Sequence, residues 1–197
     1  MAKSKDDKNL ADIALKPVEI SADLPKQKST KKAGLKVSRR FSKPGQDVFS
    51  TVEWDIRDSV ISDEKGKVIS QITNIEIPKS WTQLATDIVS YKYFRKAGVP
   101  TKEGRETSVR QPITRIARTM ANFGEKFGYF ASKAERDNFE DELKYLLLHQ
   151  MAAFNSPVWF NCGLYHEYGI EGSSGSFYWD FKENKVIESQ NAYRNPQ

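Results

Sequence analysis

At 197 residues the chain has room for one ordinary domain, or a domain with an appendage, and it is long enough to bury a core. A hydrophobic share of 38% beside 12% aromatic residues describes a folded region diluted by a polar segment, which excludes general disorder. The net charge of +5 is carried by residues 1–40, with 11 Lys or Arg against 5 Asp or Glu, while the remainder holds 20 basic and 21 acidic side chains; the excess belongs to a tail and argues against a specific nucleic-acid-binding face.

That tail lacks aromatic residues and any sustained helical period, so residues 1–38 are expected to form a flexible basic arm whose removal leaves folding nearly unchanged. From Phe41 the texture changes. Val52, Trp54 and Ile56 alternate with charged residues, and after the turn SDEKG the run VISQITNIEI ends at Pro78, which predicts a β-hairpin with one buried face.

Ser80-Trp-Thr-Gln83 has capping-box spacing at the start of a helix with Leu84, Ile88, Tyr91 and Arg95 on related turns, stopped by Gly98 and Pro100. Pro112 opens a second helix, with Ile113, Ile116, Met120 and Phe123 at helical spacing before Gly124. The longest helix is predicted from Ser132, with Glu135 as reciprocal cap and a buried stripe of Phe139, Leu143, Leu146, Leu147 and Met151. Its acidic run Glu140, Asp141, Glu142 is accounted for by the helix dipole and solvation. Beyond Pro157, VWFN reads as a short buried strand, Gly169 to Ser176 as a flexible loop, and FYWDFKENKVIES as a hairpin turning at Glu183 and Asn184. The expected class is α+β.

Few residues carry chemistry. His149, in LLLHQM, reads as a hydrogen-bonded helix residue, and His166 lies near Cys162 without the further ligands a metal site needs. A single cysteine excludes an internal disulfide and a cysteine-based zinc site within this chain. The Gly-Ser loop lacks the Lys-Ser or Lys-Thr pair of a P-loop. Neither a run of about 18 apolar residues nor a secretory h-region occurs, so a cytoplasmic protein without a membrane partner is expected. At Phe154-Asn-Ser-Pro-Val-Trp-Phe-Asn161, short polar groups and a proline precede an apolar run. Such a junction serves either as a plain turn or as a place to hold a phosphate with a hydroxyl and backbone donors.

The same segment, FNSPVWFNCGL, resembles the lead into the catalytic barrel of the adenosylcobalamin-dependent (class II) ribonucleotide reductases. RRFSKPGQDVF, VEWDIRDSVI, IPKSWTQLATDIVSYKYFRKAGVP and ETSVRQPITRIARTMANFG resemble successive blocks of that family's amino-terminal domain, so the likeness runs from Arg39 to Gln197. It implies a flexible tail over 1–38, an amino-terminal domain of β-hairpin and bundle-like helices over 39–154, and the first strands of an incomplete α/β barrel over 155–197.

The resemblance also implies a reaction and its partners. A cysteine thiyl radical, generated with adenosylcobalamin bound mainly by a downstream part, takes the 3′ hydrogen of a ribonucleoside diphosphate; water leaves from the 2′ position, and two further cysteines supply electrons. A thioredoxin-type protein would re-reduce them. Ser156 matches the family position whose hydroxyl helps bind the substrate at its phosphate end. No catalytic residue and no metal ligand falls within this chain. Cys162 looks structural, and since the family pattern puts the first redox cysteine directly after RNPQ, the chain alone is expected to be inactive. An intein-interrupted gene, a split gene and a truncation fit equally. The competing expectation, from another class, is a non-catalytic nucleotide- or protein-binding module built on that fold.

Overall fold

The computed structural model describes residues 33–172, 175 and 177–194. Most of the expected tail, and Ser173, Ser174 and Ser176 of the expected Gly-Ser loop, lie outside the described residues. A compact unit begins at Ala33. Its elements are β1 (Trp54–Ser62), β2 (Val68–Pro78), α1 (Gln83–Ile88), α2 (Arg110–Lys126), α3 (Lys133–Leu148), α4 (Ser156–Asn161), α5 (Leu164–Tyr168), β3 (Phe177–Asp180) and β4 (Lys185–Glu188).

Strands β1 and β2 pair antiparallel, from Trp54 against Pro78 to Ser62 against Val68, with the register broken between Arg57 and Ser59. The break coincides with Asn74, at a φ of 58°, whose N–H donates to Asp58. Contrary to the simple alternation, Ile56 points outward, 60% exposed, while Ser59 is buried and Arg57 turns in beneath the hairpin. Arg57 Nη1 donates to the Trp81 carbonyl at 2.6 Å and Nη2 to the Lys79 carbonyl at 2.9 Å, so the guanidinium closes the chain reversal after β2. On the partner strand Ile75 and Ile77 are fully buried.

Thr82, not Ser80, caps α1, its hydroxyl accepting from the Ala85 N–H at 3.1 Å. The helix then widens into a π turn over Val89–Tyr93. Of the residues placed on related turns, Leu84, Ile88 and Tyr91 are exposed, and the covered face is that of Thr86, Val89 and Ser90.

The main helical layer is α2 against α3. Ile113, Ile116, Ala117 and Ala121 of α2 are fully buried beneath the hairpin and α3. Gly124 does not end α2, which runs to Lys126; a Cβ there would sit 2.4 Å from the Phe130 ring, so the glycine admits that ring against the helix. Gly128, at a φ of 67°, makes the actual turn.

Ser132 caps α3 as expected, accepting from the Glu135 N–H at 3.3 Å. Glu135 does not reciprocate: its carboxylate accepts from the Val37 N–H at 2.5 Å. The buried stripe is correspondingly shifted, with Leu147 and Leu148 fully covered and Met151 exposed beyond the helix end.

The acidic run of α3 is an anchor rather than a solvated face. Glu142 accepts from the Phe41 and Ser42 N–H groups and the Ser42 hydroxyl, and Asp141 pairs with Arg39 at 2.8 Å. Glu140 is buried among Arg118, Arg136 and Lys144. Leu35 exchanges backbone bonds with Tyr129 and Ala131, so residues 33–38, expected within the arm, are fastened to the folded unit.

The α+β class therefore holds, with small antiparallel sheets. The expected strand VWFN is instead the helix α4. Pro157 supplies helical φ in its first turn, and burial recurs every third residue, with Trp159 and Cys162 covered and Pro157 and Phe160 exposed, where a strand would alternate. The carboxyl-terminal hairpin is present, turning through Asn184 at a φ of 51°.

Candidate functional site

After α3 the chain turns back at Gln150, which adopts a φ of 55°, and extended residue Asn155 leads into Ser156 at the first position of α4. The Ser156 side chain is half-buried, and its Oγ lies 3.1 Å from the Tyr93 hydroxyl at the end of the π turn. The Tyr93 ring packs against Trp159 and Phe160 of α4, at centroid distances of 6.0 and 5.4 Å. Trp159 Nε1 donates to the Phe154 carbonyl at 3.1 Å and fixes the entry to the helix.

What holds α4 in place is a charge buried in the core. Arg115, on the inward face of α2, is 1% exposed and pairs with the equally buried Glu106 at 2.9 Å. Its Nη2 donates to the Trp159 carbonyl at 2.6 Å and its Nη1 to the Cys162 carbonyl at 2.5 Å. These carbonyls lie at the end of a six-residue helix and would otherwise be buried without donor partners. Glu106 also accepts from the Arg95 N–H at 2.7 Å and the Tyr168 hydroxyl at 2.8 Å. Burial and the neighbouring Glu106 carboxylate push the Tyr168 phenol far upward, so it stays protonated and donating. Gly163 follows at a φ of 83°, with no room for a Cβ against the Arg115 backbone.

Sequence reasoning singled out Ser156 but none of Tyr93, Arg115, Glu106 and Tyr168. Arg115 carried a readable signal: it sits between Ile113 and Ile116 on an otherwise apolar face. Tyr93 carried none, because the π turn that directs it toward Ser156 leaves no mark in a helical pattern.

An apolar recess of about 300 Å³ opens between the π turn, the end of α3 and α4, lined by Trp81, Val89, Tyr93, Leu147, Phe154 and Trp159. Ser156 is outside this lining, and Tyr93 touches both. The recess offers shape and apolar cover, without a nucleophile or a titrating acid and base pair in the acidic to neutral range. Cys162 is buried, and burial raises its thiol against a smaller opposing effect of Arg115, which disfavours the reactive thiolate.

Both imidazoles already have partners in the fold. His149 caps α3, lies 3.0 Å from the Thr51 hydroxyl and stacks on Tyr145 at 4.0 Å, while His166 Nε2 meets the Arg194 carbonyl at 2.9 Å. Among the described residues no group of three or more His, Cys, Asp and Glu is arranged to hold a metal ion. The described recesses, about 240 to 470 Å³, do not fit a corrin macrocycle with its adenosyl group. No helix of the described residues is long and apolar enough to cross a membrane.

The sequence that builds this α+β unit has relatives among the ribonucleotide reductases. Residues 55–150 match the family described as class II vitamin B12-dependent ribonucleotide reductase, and the chain belongs to that family. A vitamin B12-dependent ribonucleotide reductase of Rhodopirellula baltica is 43% identical over 167 residues, covering 84% of this chain and 16% of the relative. Relatives of the same description from Agrobacterium fabrum and Streptomyces avermitilis are 36% and 46% identical, over 83% and 69% of this chain and 15% and 14% of their own. The chain thus spans about a sixth of the length of the curated relatives it matches, in their amino-terminal part.

Proposed function

We propose that this chain is the amino-terminal part of an adenosylcobalamin-dependent ribonucleoside-diphosphate reductase, and that Ser156 holds the phosphate end of the substrate. The observation that carries the reading is the state of the Ser156 hydroxyl. It is half-buried at a helix start and has Tyr93 as its one side-chain partner among the described residues. A hydroxyl has one donor and two acceptor sites, so capacity remains for a phosphate oxygen. The Arg115 clamp fixes the helix that carries it.

In this reading residues 39–154 form the reductase amino-terminal domain and residues 155–197 lead into the catalytic barrel. The barrel, the radical and redox cysteines and the cobalamin site belong to a further reductase segment, and a thioredoxin-type protein is the reductant. Adenosylcobalamin supplies the radical when bound there; the present residues contribute positioning.

The test is reconstitution. The purified chain is mixed with the remaining segment of the Rhodopirellula baltica relative, adenosylcobalamin, a dithiol and CDP, and deoxycytidine diphosphate is measured. Product is expected from the mixture and from neither part alone. Reduction by the 197-residue chain by itself, or a mixture as inactive as its parts, goes against the proposal.

A further inference from the structure

We infer that Glu106 is a positioning residue for Ser156: its two carboxylate oxygens hold the two sides of the Ser156–Tyr93 hydroxyl pair in register, and Tyr168 steadies that carboxylate. The inference rests on the reading of Ser156 as a substrate contact and goes beyond it, because Glu106, Arg115 and Tyr168 touch no substrate in that reading.

The paired hydroxyls come from separate pieces of chain. Tyr93 ends the π turn, and Ser156 opens α4, 63 positions later. Their oxygens stay 3.1 Å apart only if the two backbones are fixed relative to each other. A helix of six residues is too short to hold its own place.

The oxygens of Glu106 divide that task. Oε2 accepts from the Arg95 N–H at 2.7 Å, two residues beyond Tyr93, and the Glu106 N–H donates back to the Arg95 carbonyl at 2.8 Å. This reciprocal pair ties the exit of the π turn to residue 106. Oε1 accepts from Arg115 Nε at 2.9 Å, and the terminal nitrogens of the same guanidinium reach the Trp159 and Cys162 carbonyls at the end of α4. The loop that carries Glu106 is itself fastened to β2: the Thr107 carbonyl accepts from the Glu76 N–H at 2.9 Å, and the Val109 N–H donates to the Glu76 carbonyl at 3.2 Å. Strand β2 is thus the common frame for both hydroxyls.

Tyr168 completes the arrangement by donating to Oε1 at 2.8 Å. The last torsion of a glutamate is broad, so a single nitrogen of Arg115 would leave the carboxylate free to turn. Donors on both oxygens remove that freedom. Stability alone does not account for the set, since a buried ion pair is often no better for stability than apolar residues of similar volume. Three donors converging on one sealed carboxylate specify a geometry.

Tyr168→Phe tests the inference without stranding a charge, and Glu106→Asp keeps the charge while shortening its reach by one methylene. In the reconstituted enzyme each should raise KM for CDP by about threefold or more and change kcat less, a fraction of the loss expected from Ser156→Ala. In a Ser156→Ala background the same changes should raise KM no further, because a residue that acts through Ser156 has nothing left to position. Unchanged KM in both variants, or effects that add to that of Ser156→Ala, would overturn the inference. Amide hydrogen exchange on the chain by itself supplies a readout that needs no activity. Tyr168→Phe should speed exchange at the Arg95 and Cys162 amides together, by roughly tenfold, and leave unchanged the His149 amide, which donates to the Tyr145 carbonyl at the end of α3. A response on one side only, or on neither, also goes against it. Absence of product from the unaltered mixture counts against the reductase reading instead, and the exchange result then decides the register alone.

Discussion

Arg115 and Glu106 pair at 2.9 Å with both side chains essentially sealed from solvent, and the same guanidinium carries the last carbonyls of α4. Removing one member leaves the other charge buried without a partner, a penalty of about 3–5 kcal/mol. Arg115→Met is therefore expected to lower stability by that amount in urea denaturation. Glu106→Gln in the same background should recover part of it, because the stranded carboxylate is gone. A double variant no more stable than Arg115→Met would show that the lost carbonyl bonds, and not the unpaired charge, dominate.

The segment before Phe41 contributes to stability through few contacts. Val37→Pro removes the N–H that donates to Glu135 and leaves a half-buried carboxylate without that donor. A loss of about 1–3 kcal/mol is expected. Equal urea midpoints for the variant and the unaltered chain would restore the view that residues 33–38 are part of a passive arm.

His149 gives the fold a pH dependence. Burial holds its imidazole below the ordinary histidine range, so the folded state prefers the neutral ring. With the folded value lower than the unfolded one, the contribution is full above the unfolded value and is lost as pH falls through the folded one. Thermal midpoints should fall between pH 7.5 and pH 5.5, and His149→Gln should flatten that slope while keeping a partner for Thr51.

For Ser156, replacement by Ala in the reconstituted enzyme should raise KM roughly ten- to a hundred-fold, the worth of one hydrogen bond to a charged group. The effect on kcat should be smaller. Tyr93→Phe tests the geometry: it frees the Ser156 hydroxyl and should change KM less than Ser156→Ala. Steady-state kinetics with CDP checks both, and an unchanged KM in Ser156→Ala would remove the serine from the substrate contact.

Both hairpins, the Ser132 cap and the buried Ile113 and Ile116 were legible in the sequence, because each rests on local spacing and turn chemistry. The fate of Glu135, Asp141 and Glu142 was not. Acidic residues on a helix look alike whether they face water or a distant backbone, and their partners lie about a hundred residues away. The helix α4 was misread because three apolar and aromatic residues after a proline fit either structure, and the deciding contact, Arg115 on its carbonyls, is tertiary. Of the candidate site only Ser156 was named in advance. Its neighbour Tyr93 depends on one extra residue in a helical turn.

The bond between Val37 and Glu135 joins residues 98 positions apart, and those from Phe41 and Ser42 to Glu142 span 101 and 100. Closing so long a loop costs chain entropy before any contact repays it. During synthesis the segment from Leu35 to Ser42 leaves the ribosome early, yet it has nothing to join until α3 has emerged and folded. Its attachment is accordingly a late event, and the acidic face of α3 stays open for that interval.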